Sequence, residues 1–338
     1  MVTNFSQLGP TERTELLWGY VEKRLPLLLL GPAGSGKSYI GLKLMQRFID
    51  IYFNGARIVW LREIDEMSSL GENEEIKALY VSGSANVTKL DLLGGRVLLG
   101  GQYVRKPGFL QKMIEKGGIV FLDEVTSLPP QFTILLNEII DSIYRGEANE
   151  NFYIFFAGNP SNYLGANELP DALLERLVSI WFDYYPIQNE IEIVIDMVKK
   201  NFGEDPMFNE KGFYFLVQYI VSILREIREE LNNVGEICPI SVRSMMLAVT
   251  SVIMLSKTTQ RMDPSGFSRT AVYKALQGLL PDNLVEVWNS DIINELYSFM
   301  ERYKIGWNHV KDAVKNLGIL SKYVNTKEIQ EIISRIPE

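Results

Sequence analysis

Over its first half the chain alternates short apolar runs with stretches in which apolar residues recur every three or four positions. Leu25–Leu30, Ala56–Leu61, Ile119–Leu122, Phe152–Ala157 and Val178–Phe182 are strand-sized and almost continuously apolar. Such strands are buried on both faces, the pattern of a parallel sheet flanked by helices. Residues 11–23 hold Leu16, Leu17, Trp18 and Val21 at helical spacing, which predicts a helix ahead of the first strand, over a sheet face or the base of a bound nucleotide. After Pro186 the period changes. Ile187–Lys200, Lys211–Leu231, Ser241–Lys257 and Thr270–Leu279 read as helices, and residues 281–338 as three more, divided near Asn289 and Gly318. The expected fold class is therefore α/β followed by an all-α region. Its divisions are 1–186 for the sheet domain, 187–280 for a helical lid and 281–338 for a C-terminal helical extension.

Composition narrows the chemistry. The chain has 338 residues, 46% hydrophobic and 22% charged, enough to bury two cores of ordinary size. No apolar stretch approaches the roughly 20 residues that cross a bilayer, and the first residues lack a basic leader, so the expected location is cytoplasmic. Cys238 is the only cysteine and His309 the only histidine. An intrachain disulfide, a cysteine metal cage and Ser-His or Cys-His catalysis therefore all lack material, and both residues are expected to be structural. The net charge of −8 argues against indiscriminate nucleic-acid binding.

Two local patterns supply the candidate chemistry. Gly31-Pro32-Ala33-Gly34-Ser35-Gly36-Lys37-Ser38 fits G-x-x-x-x-G-K-[ST] and lies between an expected strand and a helix that opens at Tyr39. Glycines there let consecutive backbone N–H groups face phosphate oxygens, and the helix adds its positive end. Lys37 is expected to reach the β and γ phosphates and Ser38 to meet Mg²⁺. The second pattern, Gly118-Ile119-Val120-Phe121-Leu122-Asp123-Glu124, is an apolar strand ending in two carboxylates. Asp123 is expected in the metal shell beside Ser38, and Glu124 to orient and polarise the attacking water. The bland alternatives are a ligand-free glycine turn and a solvated acidic turn.

With these motifs in place, residues 24–250 resemble the AAA+ superfamily, and within it the MoxR-type and dynein-related group. Asp91-Leu92-Leu93-Gly94, then Gly108-Phe109-Leu110 and Glu115-Lys116-Gly117-Gly118-Ile119, look like that group's approach to Walker B. Phe155-Phe156-Ala157-Gly158-Asn159-Pro160, then Tyr163, Gly165 and Leu169-Pro170-Asp171-Ala172-Leu173-Leu174-Glu175-Arg176, are similar to its sensor 1 strand and arginine-finger helix. The chain departs from the group at Phe109, where proline is common, and at Leu177, where an aromatic residue is common. The resemblance implies that Asn159 contacts the γ-phosphate and lytic water, and that Arg176 points to a neighbouring subunit's nucleotide. Such an arginine is worth roughly 10³ to 10⁵ in rate. It implies also that Arg243, in Pro239-Ile240-Ser241-Val242-Arg243-Ser244, reaches the phosphates as a sensor 2 residue. The competing readings are a turn-former before Pro160 for Asn159, a surface ion pair with Glu175 or Asp171 for Arg176, and an ordinary surface arginine for Arg243.

The resemblance thus implies an ATP- and Mg²⁺-dependent ATPase that binds nucleotide through Gly31 to Ser38 with Tyr39 alongside. By the same resemblance it works as a hexameric ring, remodels a protein client and often partners a von Willebrand A-domain protein. Residues 62–109 read as an insertion that meets the client: acidic at 72–75, glycine-rich and basic around Arg96, Tyr103, Arg105 and Lys106. Those residues line a pore or touch an acidic partner, or else form a solvated hairpin. A nucleic-acid motor and a nucleotide-binding scaffold stand as alternatives, the first disfavoured by net charge and the second by the presence of Glu124 and Arg176.

Overall fold

The computed structural model describes residues 5–60, 76–83, 94–99, 101–128, 131–163, 166–258 and 290–336. The acidic cluster at 72–75, Asp91-Leu92-Leu93, Gly100, Gly165 and the expected helix at 270–279 lie outside the described residues. The chain divides into two compact units, one ending at Tyr184 and the other beginning at Tyr185.

In chain order the first unit contains α1 (Pro10–Glu22), β1 (Leu27–Leu30), α2 (Lys37–Tyr52), β2 (Ile58–Trp60), β3 (Ala78–Ser82), β4 (Gly94–Leu99), β5 (Gln102–Pro107), α3 (Phe109–Lys116), β6 (Gly118–Asp123), α4 (Gln131–Tyr144), β7 (Phe152–Gly158), α5 (Asp171–Leu174) and β8 (Val178–Trp181). Six of the strands form one sheet in the order β2-β3-β6-β7-β1-β8, parallel throughout. Alternate residues sort cleanly to its two faces. Leu27, Leu29, Phe121, Tyr153 and Phe155 pack with Leu17, Trp18, Ile40 and Leu44 from α1 and α2. Leu28, Leu79, Val120, Leu122, Ile154 and Phe156 pack with residues of α3, α4 and α5. Both faces are covered, which is why β1, β6 and β7 are apolar at nearly every position. Of the two places expected for α1, a sheet face is the one it occupies.

Glycine lets α2 come unusually close to the sheet. A Cβ added to Gly41 would lie 2.3 Å from a ring carbon of Phe121 on β6, so α2 rests its backbone on that ring.

One strand escaped the sequence reading. Residues 62–109 were expected to be an insertion, yet β3 inside that stretch is a central sheet strand between β2 and β6. Its five residues, Ala78-Leu79-Tyr80-Val81-Ser82, are bounded by Lys77 and Gly83, and this run is too short to stand out by period alone. The remainder of the stretch includes the antiparallel hairpin β4–β5, whose register sets Arg96 opposite Arg105.

The second unit is helical among its described residues: α6 (Ile187–Phe202), α7 (Lys211–Asn233), α8 (Val242–Thr258), α9 (Ser290–Arg302), α10 (Trp307–Lys315) and α11 (Lys327–Arg335). Residues of all six share one core, with Leu216, Ile220, Val249, Leu296, Val310 and Ile332 fully or almost fully buried. Within that core Glu190 is fully buried between two arginines. Its Oε2 accepts from Arg225 Nη1 at 2.6 Å and its Oε1 from Arg228 Nη1 at 3.1 Å; Arg228 Nη1 also donates to the Ile240 carbonyl at 2.7 Å. This cluster joins α6, α7 and the approach to α8. Cys238 is buried, and burial pushes its thiol up to about 11. His309 Nδ1 accepts the Gly306 N–H at 3.0 Å at the start of α10, and burial holds its imidazole below the usual value. Both have packing or capping roles here. No described helix is long and apolar enough to cross a membrane.

Candidate functional site

The glycine-rich loop follows β1 at the carboxyl end of the sheet, where open α/β sheets place their ligands. Gly31 is required by its neighbour across the sheet edge: an added Cβ would lie 2.0 Å from the Phe182 carbonyl oxygen. Gly34 and Gly36 have φ of 78° and 91°, left-handed values that glycine adopts without strain. Gly36 is the N-cap of α2, so the loop feeds directly into a helix N-terminus. Tyr184 closes the loop's far side, its hydroxyl donating to the Ala33 carbonyl at 3.4 Å. Ser38 and Tyr39, on the first turn of α2, are exposed.

Lys37 turns back into this loop. Its Nζ donates to the carbonyls of Gly31 at 2.8 Å and Pro32 at 2.7 Å, and to Asn159 Oδ1 at 3.1 Å. Burial pushes its ammonium down to about 8, against the upward pull of Asp123 and Glu124. Asn159 follows the last residue of β7, and its N–H donates to Thr126 Oγ1 at 3.3 Å. The structure therefore brings together Lys37 and Asn159, 122 positions apart in sequence.

The two carboxylates at the end of β6 are held from β3. Tyr80 donates to Asp123 Oδ2 at 2.6 Å, and Ser82 donates to Glu124 Oε2 at 3.1 Å. The Glu124 N–H donates to Asp123 Oδ1 at 3.0 Å. Glu124 has a φ of 55°, a left-handed value that is uncommon for a residue with a Cβ and is found at functional turns. Burial, the bond to Asp123 and the nearby negative charges together raise the Tyr80 phenol far above its usual value, so it remains a donor. Neither Tyr80 nor Ser82 was singled out from the sequence. The only signal was their alternate placement in a short apolar run.

Arg176 meets a partner that the sequence reading did not name. Its Nε donates to Asp141 Oδ1 at 2.7 Å and its Nη2 to Asp141 Oδ2 at 3.3 Å, with Nη1 on the Ala172 carbonyl. Tyr144 of α4 donates to the Arg176 carbonyl at 2.9 Å. In the helical unit Arg243 stands exposed on the first turn of α8, near Ser241, whose Oγ accepts the Ser244 N–H at 3.5 Å.

The residues present fit a magnesium nucleotide. Ser35 Oγ is fully buried and has no hydrogen-bond partner among the described residues, as if awaiting one from a ligand. Ser38 and Asp123 offer hard oxygen donors. No group of three or more His, Cys, Asp and Glu side chains able to hold a metal occurs among the described residues. Mg²⁺ uses one or two protein oxygens together with phosphates and water, and Ser38 and Asp123 are the residues that would supply them.

A three-layer parallel sheet with a glycine loop, a buried lysine and paired carboxylates at the strand ends defines a P-loop NTPase fold. Residues 62–177 match the AAA domain (dynein-related subfamily). Over 273 residues the chain is 24% identical to the gas vesicle ATPase GvpN1 of Halobacterium salinarum, covering 71% of each protein. Over 180 residues it is 27% identical to protein NorQ of Paracoccus denitrificans, covering 50% of this chain and 57% of NorQ. Domain III of the replication initiation protein DnaA of Thermotoga maritima superposes with a TM-score of 0.41 at 14% identity over 78% of this chain and 90% of that one, too loose a likeness to carry an argument. Over residues 62–177 the chain thus carries an AAA domain of the dynein-related subfamily, and it is similar to GvpN1 and to NorQ over the stretches given. These relationships support ATPase activity in general terms.

Proposed function

We propose that the protein hydrolyses Mg-ATP at a site shared between subunits of a ring, hexameric by family resemblance, and uses the cycle to remodel a protein client. The observation that carries this reading is the convergence of Lys37, Asn159, Asp123 and Glu124 at one end of the sheet, each bonded to the loop or to a neighbouring strand. In this reading the loop N–H groups and Lys37 bind the phosphates, and Ser38 and Asp123 hold the magnesium shell, which neutralises developing charge when bound. Glu124 polarises the water, with Asn159 placing it. Arg176 acts on the neighbour's nucleotide, and Arg243 links the helical unit to nucleotide state. GvpN1 is called a gas vesicle ATPase, which is in keeping with ATP hydrolysis here. A von Willebrand A-domain partner rests on the family resemblance alone.

The test is phosphate release against protein concentration, with ATP and GTP in parallel, for the wild type and Arg176→Ala. Specific activity should rise with concentration for ATP and collapse in the variant. Activity that is independent of both would remove the shared-site mechanism.

A second reading, a nucleic-acid motor, is favoured by one feature. The β4–β5 register sets Arg96 opposite Arg105 along the backbone pairing. Tyr103 of the same hairpin is 77% exposed. Stimulation of turnover by single-stranded DNA, lost with rising salt, would support this reading over a protein client.

A further inference from the structure

We propose that Tyr80 is a positioning residue for Asp123 and thereby sets how tightly the divalent cation is held with the nucleotide. The proposal rests on the reading of Asp123 as part of the magnesium shell and concerns a residue to which that reading gives no role.

The argument begins with register. β3 pairs with β6 so that Tyr80 lies opposite Phe121 and Ser82 opposite Asp123. Phe121 and Asp123 are two apart on β6 and so share one face of the sheet, the face on which Tyr80 packs. Two strand residues span about 6.6 Å, which a tyrosine covers and a serine or threonine at position 80 would not. The phenol oxygen thus reaches forward along the sheet to Asp123 Oδ2, at 2.6 Å.

The ring has little freedom to leave that position. Trp60 of β2 and Phe121 of β6 flank it in register, with ring centroids 4.2 Å and 5.4 Å away, the second edge-on. A row of three aromatic side chains across three strands therefore ends in one aimed hydroxyl. Asp123 Oδ1 is fixed independently by the Glu124 N–H. With one fixed donor on each oxygen the carboxylate cannot swing, yet each oxygen keeps a lone pair for the water shell of a metal. Partners one step out from a metal ligand commonly govern affinity in this way, and their loss typically costs about 10- to 100-fold in metal affinity or activity.

The test measures binding rather than turnover. A fluorescent ATP analogue is titrated with and without MgCl₂ against the full-length wild type, Tyr80→Phe, Asp123→Asn and the double variant. Tyr80→Phe keeps the ring and its stacking and removes only the donor. We expect its metal-free nucleotide affinity to stay within about twofold of wild type while the half-saturating Mg²⁺ concentration rises about tenfold. In the Asp123→Asn background the same change should have no further effect. Trp60→Leu, which loosens the ring but leaves the hydroxyl, should give a smaller rise in the same quantity. Wild-type magnesium dependence in Tyr80→Phe overturns the proposal, as does equal loss of metal-free affinity or an undiminished effect in the double variant. If wild-type binding ignores both Mg²⁺ and Asp123→Asn, the metal role of Asp123 itself fails. That outcome is distinct, because it is seen before Tyr80 is touched.

Discussion

Arg176 and Asp141 form a two-pronged pair inside one chain, Nε to Oδ1 at 2.7 Å and Nη2 to Oδ2 at 3.3 Å, with both side chains about one-third exposed. The bond to Arg176 lowers the Asp141 carboxyl and the bond to Asp141 raises the guanidinium, so both stay charged near neutral pH. An arginine proposed to act on a neighbouring subunit is thus already engaged at home.

If the internal pair competes with that outward contact, Asp141→Asn should shift half-maximal ATPase activity to lower protein concentration. Exposed pairs are weak, which limits the shift to about fivefold. Arg176→Ala should instead reduce turnover by roughly 10³ while leaving ATP binding intact. A concentration curve for Asp141→Asn that overlays wild type would show that the pair does not compete.

The hydroxyl of Ser82 on Glu124 predicts a separate phenotype. Ser82→Ala should lower single-turnover hydrolysis about tenfold to a hundredfold without changing ATP affinity, the scale expected for one lost hydrogen bond to a charged group. Glu124→Gln should slow the same step far more and leave ATP trapped. Equal rates for Ser82→Ala and wild type would make the bond irrelevant to chemistry.

Lys37 gives a pH dependence whose sign can be worked out. Burial pushes its ammonium down from the ordinary 10.5 to about 8 in the folded chain. Polyphosphate binds the charged form, so ATP affinity should be level below pH 7 or so and fall about tenfold per pH unit above about pH 8. Folding responds oppositely. Between about 8 and 10.5 the unfolded chain holds the extra proton, so the contribution of Lys37 to stability rises with pH in that window. Calorimetric ATP titrations from about pH 6.5 to 9.5 would check this, and a level affinity throughout would contradict it.

In the helical unit, Arg228→Met should be strongly destabilising. Glu190 is fully buried and would keep only Arg225, while the Ile240 carbonyl would lose its donor. Breaking one side of a buried ion cluster costs about 3–5 kcal/mol. Chemical denaturation of the apo protein should show a loss near the lower figure; a change under about 1 kcal/mol would mean that Arg225 alone suffices.

What could be read from the sequence was what is local. The phosphate loop and the strand ending in Asp123-Glu124 are contiguous patterns whose chemistry follows from eight and seven adjacent residues. The parallel sheet announced itself because β1, β6 and β7 are buried on both faces. β3 did not, being a five-residue run in a stretch with no sustained period. The partners of the site residues were hidden for a different reason. Tyr80 meets Asp123 across 43 positions, Ser82 meets Glu124 across 42 and Arg176 meets Asp141 across 35. Each of these pairings is a matter of strand register or helix placement, which no local pattern encodes. Arg176 shows the difference well: its nearest acidic neighbours in sequence, Glu175 and Asp171, are not the ones it bonds.

The missing side chain at Gly41 bears on how any such machine can move. The helix that begins at the glycine loop lies directly on the ring of Phe121, two residues before the Asp123 carboxylate, with no room even for a methyl group. Loop and carboxylates are in effect welded at that point. The stroke of a cycle cannot come from those two halves sliding past each other. It would have to pass through contacts that can be exchanged, such as the hydrogen bonds that hold Glu124 to Ser82 and Arg176 to Asp141.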